Sequence, residues 1–397
     1  MAVSALHRPL VGVAMTALLS APVSGQSAAA QPESTSSPAQ VAAAIEQLGA
    51  FDFDVRAKAS QVVRRAAPGQ AAAALIRAVD EHADGFVRFR ALVLLSALND
   101  PRAHDVMRRA IDDPNDRLRE AGYSWFELHP DPALTGTFLE RFEKELADFV
   151  RPALLRAMAA LGTDVRVQQA LLKDVFRGQD FFRSAVIEAL GDRKAAYAVP
   201  ALIDVAKLDG PLRDDAVLAL GRIGDVRAVE TLAALQRVGS RELQPLVAAA
   251  LCLLGRNCDS HRRFLQQTLT FASKQDGYQA LLRNTAIAVG VLAERGDADA
   301  LGLLLSAAQG AEEPVRAPLA LALGRVAVRN PSFVLTAFTA LPSLDGPLEL
   351  LRDAFDMLEE DFAEEQFYAA IRRTYWAAPP DGALRRTASR FVGFLEF

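Results

Sequence analysis

Cysteine is nearly absent from this 397-residue chain: Cys252 and Cys258 are its whole complement, and two cysteines cannot hold a zinc ion unaided. The five histidines, at positions 7, 82, 104, 129 and 261, are scattered. Aromatic residues make up only 7% and β-branched runs are scarce, which argues against sheet. There is no excess of positive charge either. With 44 basic against 49 acidic residues the net charge is -5, which speaks against a phosphate-backbone binder, so nucleic acid is not an expected partner. No P-loop, dinucleotide-binding glycine fingerprint, GxSxG elbow or HExxH helix occurs. The sequence therefore nominates no catalytic, cofactor-binding or metal-ligating residue, and no cofactor.

What is present is alanine-rich and apolar, with 51% hydrophobic residues, a composition that favours closely packed helices. Residues 1–25 have the form of a signal peptide. His7 and Arg8 precede an uncharged stretch from Pro9 to Val23, and small residues at Val23-Ser24-Gly25 or Ala28-Ala29-Ala30 suit cleavage. Fifteen uncharged residues are short for a membrane span of about 20, so the expectation is an exported, periplasmic or secreted protein with no span after cleavage. Residues 26–40, QSAAAQPESTSSPAQ, offer nothing to bury and read as a flexible linker.

Beyond that linker an arginine returns at a nearly fixed interval: Arg56, Arg88, Arg119, Arg151, Arg183, Arg213, then Arg283, Arg316, Arg352 and Arg385. The first spacings are 32, 31, 32, 32 and 30, and Gln244 stands 31 after Arg213, where an arginine was due. The clearest copy is LRDDAVLALGRIGD at residues 212–225, on which VRFRALVLLSALND at 87–100 superposes without a gap. Counted from the arginine, positions -1, +3, +4 and +7 are apolar or small and mark one helical face. Glycine or another small residue recurs at +8 and aspartate at +12, as in Asp100, Asp131 and Asp225, which stops one helix and caps the next. A second amphipathic stretch fills each interval. A unit of about 30 residues cannot bury a core alone, so consecutive helical hairpins must shield one another in an elongated superhelical rod.

These units resemble HEAT repeats, and their short period and the sequence LRDDAVLALGRIGD are similar to the bacterial variety named after phycobilisome lyases. The likeness covers residues 41–397 and implies an all-α, right-handed armadillo-like solenoid of about eleven hairpins. It further implies that Arg56, Arg119, Arg151, Arg183, Arg213, Arg283, Arg316, Arg352 and Arg385 form a structural row joining neighbouring units through charged hydrogen bonds. Metal-binding hydroxylases of this repeat class depend on His-Glu pairs, and no such dipeptide occurs. The function implied is a monomeric, non-enzymatic scaffold binding a protein or peptide segment along its concave surface. The alternative is an accessory, lyase-like or cofactor-loading factor.

The period lapses between Gln244 and Arg283, so the array divides into an amino-terminal block at 41–256, an irregular insert or bend at 257–282, and a carboxy-terminal block at 283–397. A longer helix would account for the same lapse. Cys252 and Cys258 either form a local disulfide or remain two thiols. Tyr123 at +4 and Phe126 at +7 belong to the core. Phe89 differs, because at +1 the other units carry mostly polar residues. Arg88, Phe89 and Arg90 are therefore the expected partner contact. The acidic run Glu359, Glu360, Asp361, Glu364 and Glu365 reads as a solvated helix end.

Overall fold

The computed structural model describes residues 36–358 and 361–395, and every regular element among them is helical. The hairpins run in chain order: α1 (Pro38–Gln47) with α2 (Phe53–Arg64), α3 (Pro68–Glu81) with α4 (Gly85–Ser96), α5 (Ala103–Ala110) with α6 (Asp116–Leu128), and α7 (Thr135–Phe142) with α8 (Val150–Ala160). Next come α9 (Val165–Val175) with α10 (Asp180–Asp192), α11 (Val199–Lys207) with α12 (Leu212–Ile223), α13 (Val229–Val238) with α14 (Gln244–Leu253), and α15 (Cys258–Ala272) with α16 (Gln279–Glu294). The last are α17 (Ala298–Ala308) with α18 (Arg316–Arg329), α19 (Pro331–Thr339) with α20 (Asp345–Leu358), and α21 (Asp361–Ala377) with α22 (Ala383–Phe394).

The periodic residues do what their chemistry requires. In α12 the positions Leu212, Ala216, Val217 and Leu220 are buried, three of them completely. The recurring aspartates turn the chain between units: Asp100, Asp131 and Asp225 each accept a backbone N–H two residues on, at 2.9 Å. Asp131 and Asp225 thereby cap short 3-10 turns that lead into α7 and α13, and Asp100 closes the turn ahead of α5.

The even-numbered, arginine-bearing helices pack closely on one another from α4 to α20, whereas the odd-numbered helices touch their own series far less. Tight packing on one side and looser packing on the other curves the stack, with the even helices on the concave side. Glycine at +8 allows the close approach. A methyl group on Gly191 would lie 2.8 Å from Ala219 Cα, and one on Gly221 only 2.6 Å from Ala250 Cα.

Three expectations change. The signal peptide at 1–25 lies outside the described residues, as does the linker as far as residue 35, but the linker does not reach residue 40. Helix α1 begins at Pro38, with Ser37 and Gln40 closing a reciprocal capping box. Residues 257–282 are not irregular: α15 is a regular 15-residue helix, and α14, α16 and α18 stack without interruption. The array is also not an open rod, because α21 packs against α4, and Arg64 pairs with Glu365 from 301 residues away. The curvature brings the first and last hairpins of the described array together.

Candidate interaction surface

The arginine row sits at one edge of the array, where each odd helix turns into its even partner. Arg88 donates to the Val79 carbonyl at 2.7 Å, near the end of α3, and reaches forward to Asp113 beyond α5 at 2.5 Å. Arg151 repeats the pattern with the Phe142 and Glu145 carbonyls and, 2.9 Å away, Asp174. Arg119 is the most heavily engaged, holding Glu145 through two nitrogens, Asp116, and the carbonyls of Asp113 and Pro114. Arg56, Arg183 and Arg213 donate to carbonyls at the preceding turn, and Arg316 donates to Asp353 at 2.6 Å. Gln244 donates to the Leu235 and Gly239 carbonyls, so an amide takes the place of the missing guanidinium. Arg352 and Arg385 instead lie over aromatic rings, 5.0 Å from the Phe394 centroid and 4.3 Å from that of Tyr375, and Arg283 is exposed.

The concave side carries a second set of charges, between about one and four helical turns further along the even helices. Arg222 of α12 and Arg329 of α18 converge on Asp192 and Glu294, and Arg329 also donates to Glu188 at 2.9 Å. Glu127 of α6 receives Arg156 of α8 and Arg193 beyond α10. Burial disfavours the charge on Glu188, but Arg329, Arg325, Arg222 and Arg156 outweigh it and hold the carboxyl below its ordinary range. Nearby, Asp214 and Asp215 are pushed up, chiefly by burial, although Asn284 donates to Asp214 at 3.0 Å. The middle of the concave face is thus bridged by the protein's own ion pairs, including one between residues 141 apart in sequence.

Closer to the ends, α21 lies against α4. Asp361 pairs with Arg90, Gln366 donates to Ser96 at 2.8 Å, and Glu365 pairs with Arg64, whose guanidinium also stands 4.6 Å over the Tyr368 ring. Glu365 and Arg64 retain only 3% and 9% side-chain exposure. The acidic run is therefore not a solvated helix end over Asp361, Glu364 and Glu365, while Glu359 and Glu360 lie outside the described residues. The partner contact expected at residues 88–90 is corrected too. Phe89 is 4% exposed, with Phe86 and the Arg117 guanidinium against its ring, and Arg88 and Arg90 are both engaged within the protein. Position +1 is polar in most units, but α4 is buried on nearly all sides, Phe89 included. Tyr123 and Phe126 are fully buried, as their register requires. Cys252 and Cys258 are joined in a disulfide, Cα atoms 4.3 Å apart, between the end of α14 and the start of α15.

The edge that holds the arginine row has a further property that the period does not show. Phe51 and Phe53 at the start of α2, Leu146 and Phe149 before α8, Phe176 and Phe181 around the α9–α10 turn, Leu208, Val238 and Phe271 are all exposed. With Trp376, this edge holds ten of the fifteen large apolar side chains exposed among the described residues, against four at the opposite edge.

Residues 41–124 match the family model of HEAT repeats. Among solved structures the chain is similar to the complex of CpcE and CpcF of phycocyanin lyase from Nostoc sp., at 18% identity over 66% of this chain and 98% of that one, TM-score 0.35. It is also similar to Kap95p in its complex with RanGDP, at 13% identity and TM-score 0.42, and to importin beta, at 13% identity and TM-score 0.39. Each of these two matches covers 90% of this chain, which spans 60% and 52% of the respective molecules. No protein of curated function matches the sequence.

Proposed function

We propose, from the premise that this chain is a HEAT-repeat protein, that it is an exported, monomeric and non-enzymatic scaffold that holds another protein against the hairpin-turn edge of its array. The observation that carries this is the apolar row along that edge. Isolated exposed apolar residues are ordinary on a soluble protein, but a concentration of them on one edge is characteristic of a contact surface. The expected location, the concave face, is less suited to a partner, since its middle is bridged by Arg222, Arg329, Asp192 and Glu294 and its α4 wall is covered by α21. Export is supported by the sequence of residues 1–25 and is compatible with the Cys252–Cys258 disulfide, which an oxidising compartment preserves.

Two measurements test the reading. Mass spectrometry of the protein from fractionated cells should find an amino terminus at Gln26 or Gln31 in the exported fraction; a chain retaining Met1 in the cytoplasm ends the export claim. Cross-linking in the native compartment should yield a partner adduct that is lost in Phe149→Ser and Phe181→Ser and kept in Val226→Ser, on the opposite edge. Equal loss in all three removes the edge from consideration.

A further inference from the structure

The contact between α21 and the amino-terminal helices has the chemistry of a receptor holding a ligand. Arg64 and Arg90 project from successive even helices, and Ser96 lies beyond them on α4. The segment seated on them is a helix with carboxylates at Asp361 and Glu365, one turn apart on one face, followed by the amide of Gln366. The fit is not confined to charge. Arg64 is clamped between Glu365 and the Tyr368 ring, and the whole contact is made by side chains that a helix of any origin could supply. Elsewhere on the concave side the longer bridges span 66 to 141 residues, but α21 is held on this side by helices some 270 to 300 residues away. Glu364, between the two pairing carboxylates, gains no matching cation of its own. Burial and the charges of Asp361, Asp356 and Glu365 oppose its ionisation and outweigh Arg90, while Arg64, already engaged by Glu365, also feels its charge. The seated helix thus carries one charge more than the face accommodates well.

We infer that the α2–α4 face built on Arg64, Arg90 and Ser96 is a docking site for an acidic helix of a partner protein, occupied in the free chain by α21, which the partner displaces. The inference stands on the buried pairing and not on the apolar edge, so either can fail alone. A tethered occupant competes at an effective concentration of about a millimolar, and weakening it must therefore reveal affinity for the same helix supplied in solution.

The probe is a fluorescent synthetic peptide with the sequence of residues 361–377, titrated by anisotropy into the full exported chain. Asp361→Asn combined with Glu365→Gln, which loosens the tethered helix, should raise peptide affinity about tenfold or more over wild type. Adding Arg64→Gln should abolish the gain, and a peptide with amides in place of its three carboxylates at 361, 364 and 365 should not bind. Gln366→Ala, which deletes only the bond to Ser96, should give a smaller gain in the same direction and covers the event that the double variant misfolds. The inference is overturned if neither variant takes up more peptide than wild type, if uptake is indifferent to Arg64→Gln, or if the amide peptide binds equally. Dimerisation of the loosened chain by light scattering without peptide uptake would assign the face to a second copy and overturn it as well.

Discussion

The edge ladder and the end-to-end closure use the same chemistry, arginine against carboxylate, at very different separations in sequence. In the ladder, Arg88, Arg119, Arg151 and Arg316 reach carboxylates 23 to 37 residues ahead, in the next unit. In the closure, Arg90 and Arg64 reach carboxylates 271 and 301 residues away. A ladder bond holds whenever two neighbouring hairpins stack, whereas a closure bond exists only if every hairpin between adds its share of curvature. The ladder is therefore a local property of each unit, and the closure is a property of the whole array.

The largest expected effect is on the ladder. Arg119→Ala leaves Glu145, 6% exposed, without the guanidinium that binds both its oxygens, and breaking a buried pair on one side costs about 3–5 kcal/mol. Urea denaturation should show that loss, with an early transition confined to the amino-terminal units if the ladder is local. Arg183→Ala removes a bond to Asp180, which is 54% exposed, and one to the Val175 carbonyl, and should cost less, about 1–2 kcal/mol.

Curvature is tested next. Gly221→Ala would place a methyl 2.6 Å from the Ala250 backbone, forcing α12 from α14 at a cost of about 1–3 kcal/mol. Because the error propagates along the array, small-angle scattering should also show the ends drawing apart. Gly302→Ala on α17 meets nothing within 4 Å and should stabilise by about 0.5–1 kcal/mol through helix propensity, leaving the scattering profile unchanged. If both variants leave the profile alone, glycine does not set the curvature.

The contrast also explains which features were legible in the sequence. Hairpins, caps, the arginine row and the buried register of Tyr123 and Phe126 depend on residues within about one unit of each other, so a period of about 30 residues exposes them. The closure depends on small rotations summed over many units, and no spacing encodes that sum. One signal of the closure does lie in the sequence. Residues 85–96, GFVRFRALVLLS, carry apolar side chains on every face apart from Arg88 and Arg90, the mark of an element buried on more than one side, and Phe89 at +1 is part of that buried set and not an exposed contact. Arg64 and Glu365 gave no comparable hint, since nothing in either local segment names the other. The exposed phenylalanines at the hairpin turns fall outside the apolar register, and a reading organised by that register passes over them.

The smallest effect separates the closure from the turn caps by pH alone. The carboxyl of Glu364 is pushed up to about 7 by burial first, then by Asp361, Asp356 and Glu365, with Arg90 opposing. A carboxyl whose folded value lies above its unfolded value near 4.5 binds a proton more tightly when folded, so its contribution is complete below about 4.5 and is lost as pH rises through about 7. The aspartates at the turns behave oppositely. Asp164 and Asp225 are held down to about 2 by Arg166 and Arg227, so whatever they contribute is present above 3.8 and is lost only as pH falls through about 2. Between pH 5 and 8 the caps are constant and Glu364 titrates. Glu364→Gln, which fixes the uncharged form, should melt above wild type at pH 8 by about 2 °C, and the gap should close toward pH 5. A gap that is constant across that range would mean that Glu364 is solvated and that α21 does not press its carboxylates against the amino-terminal helices.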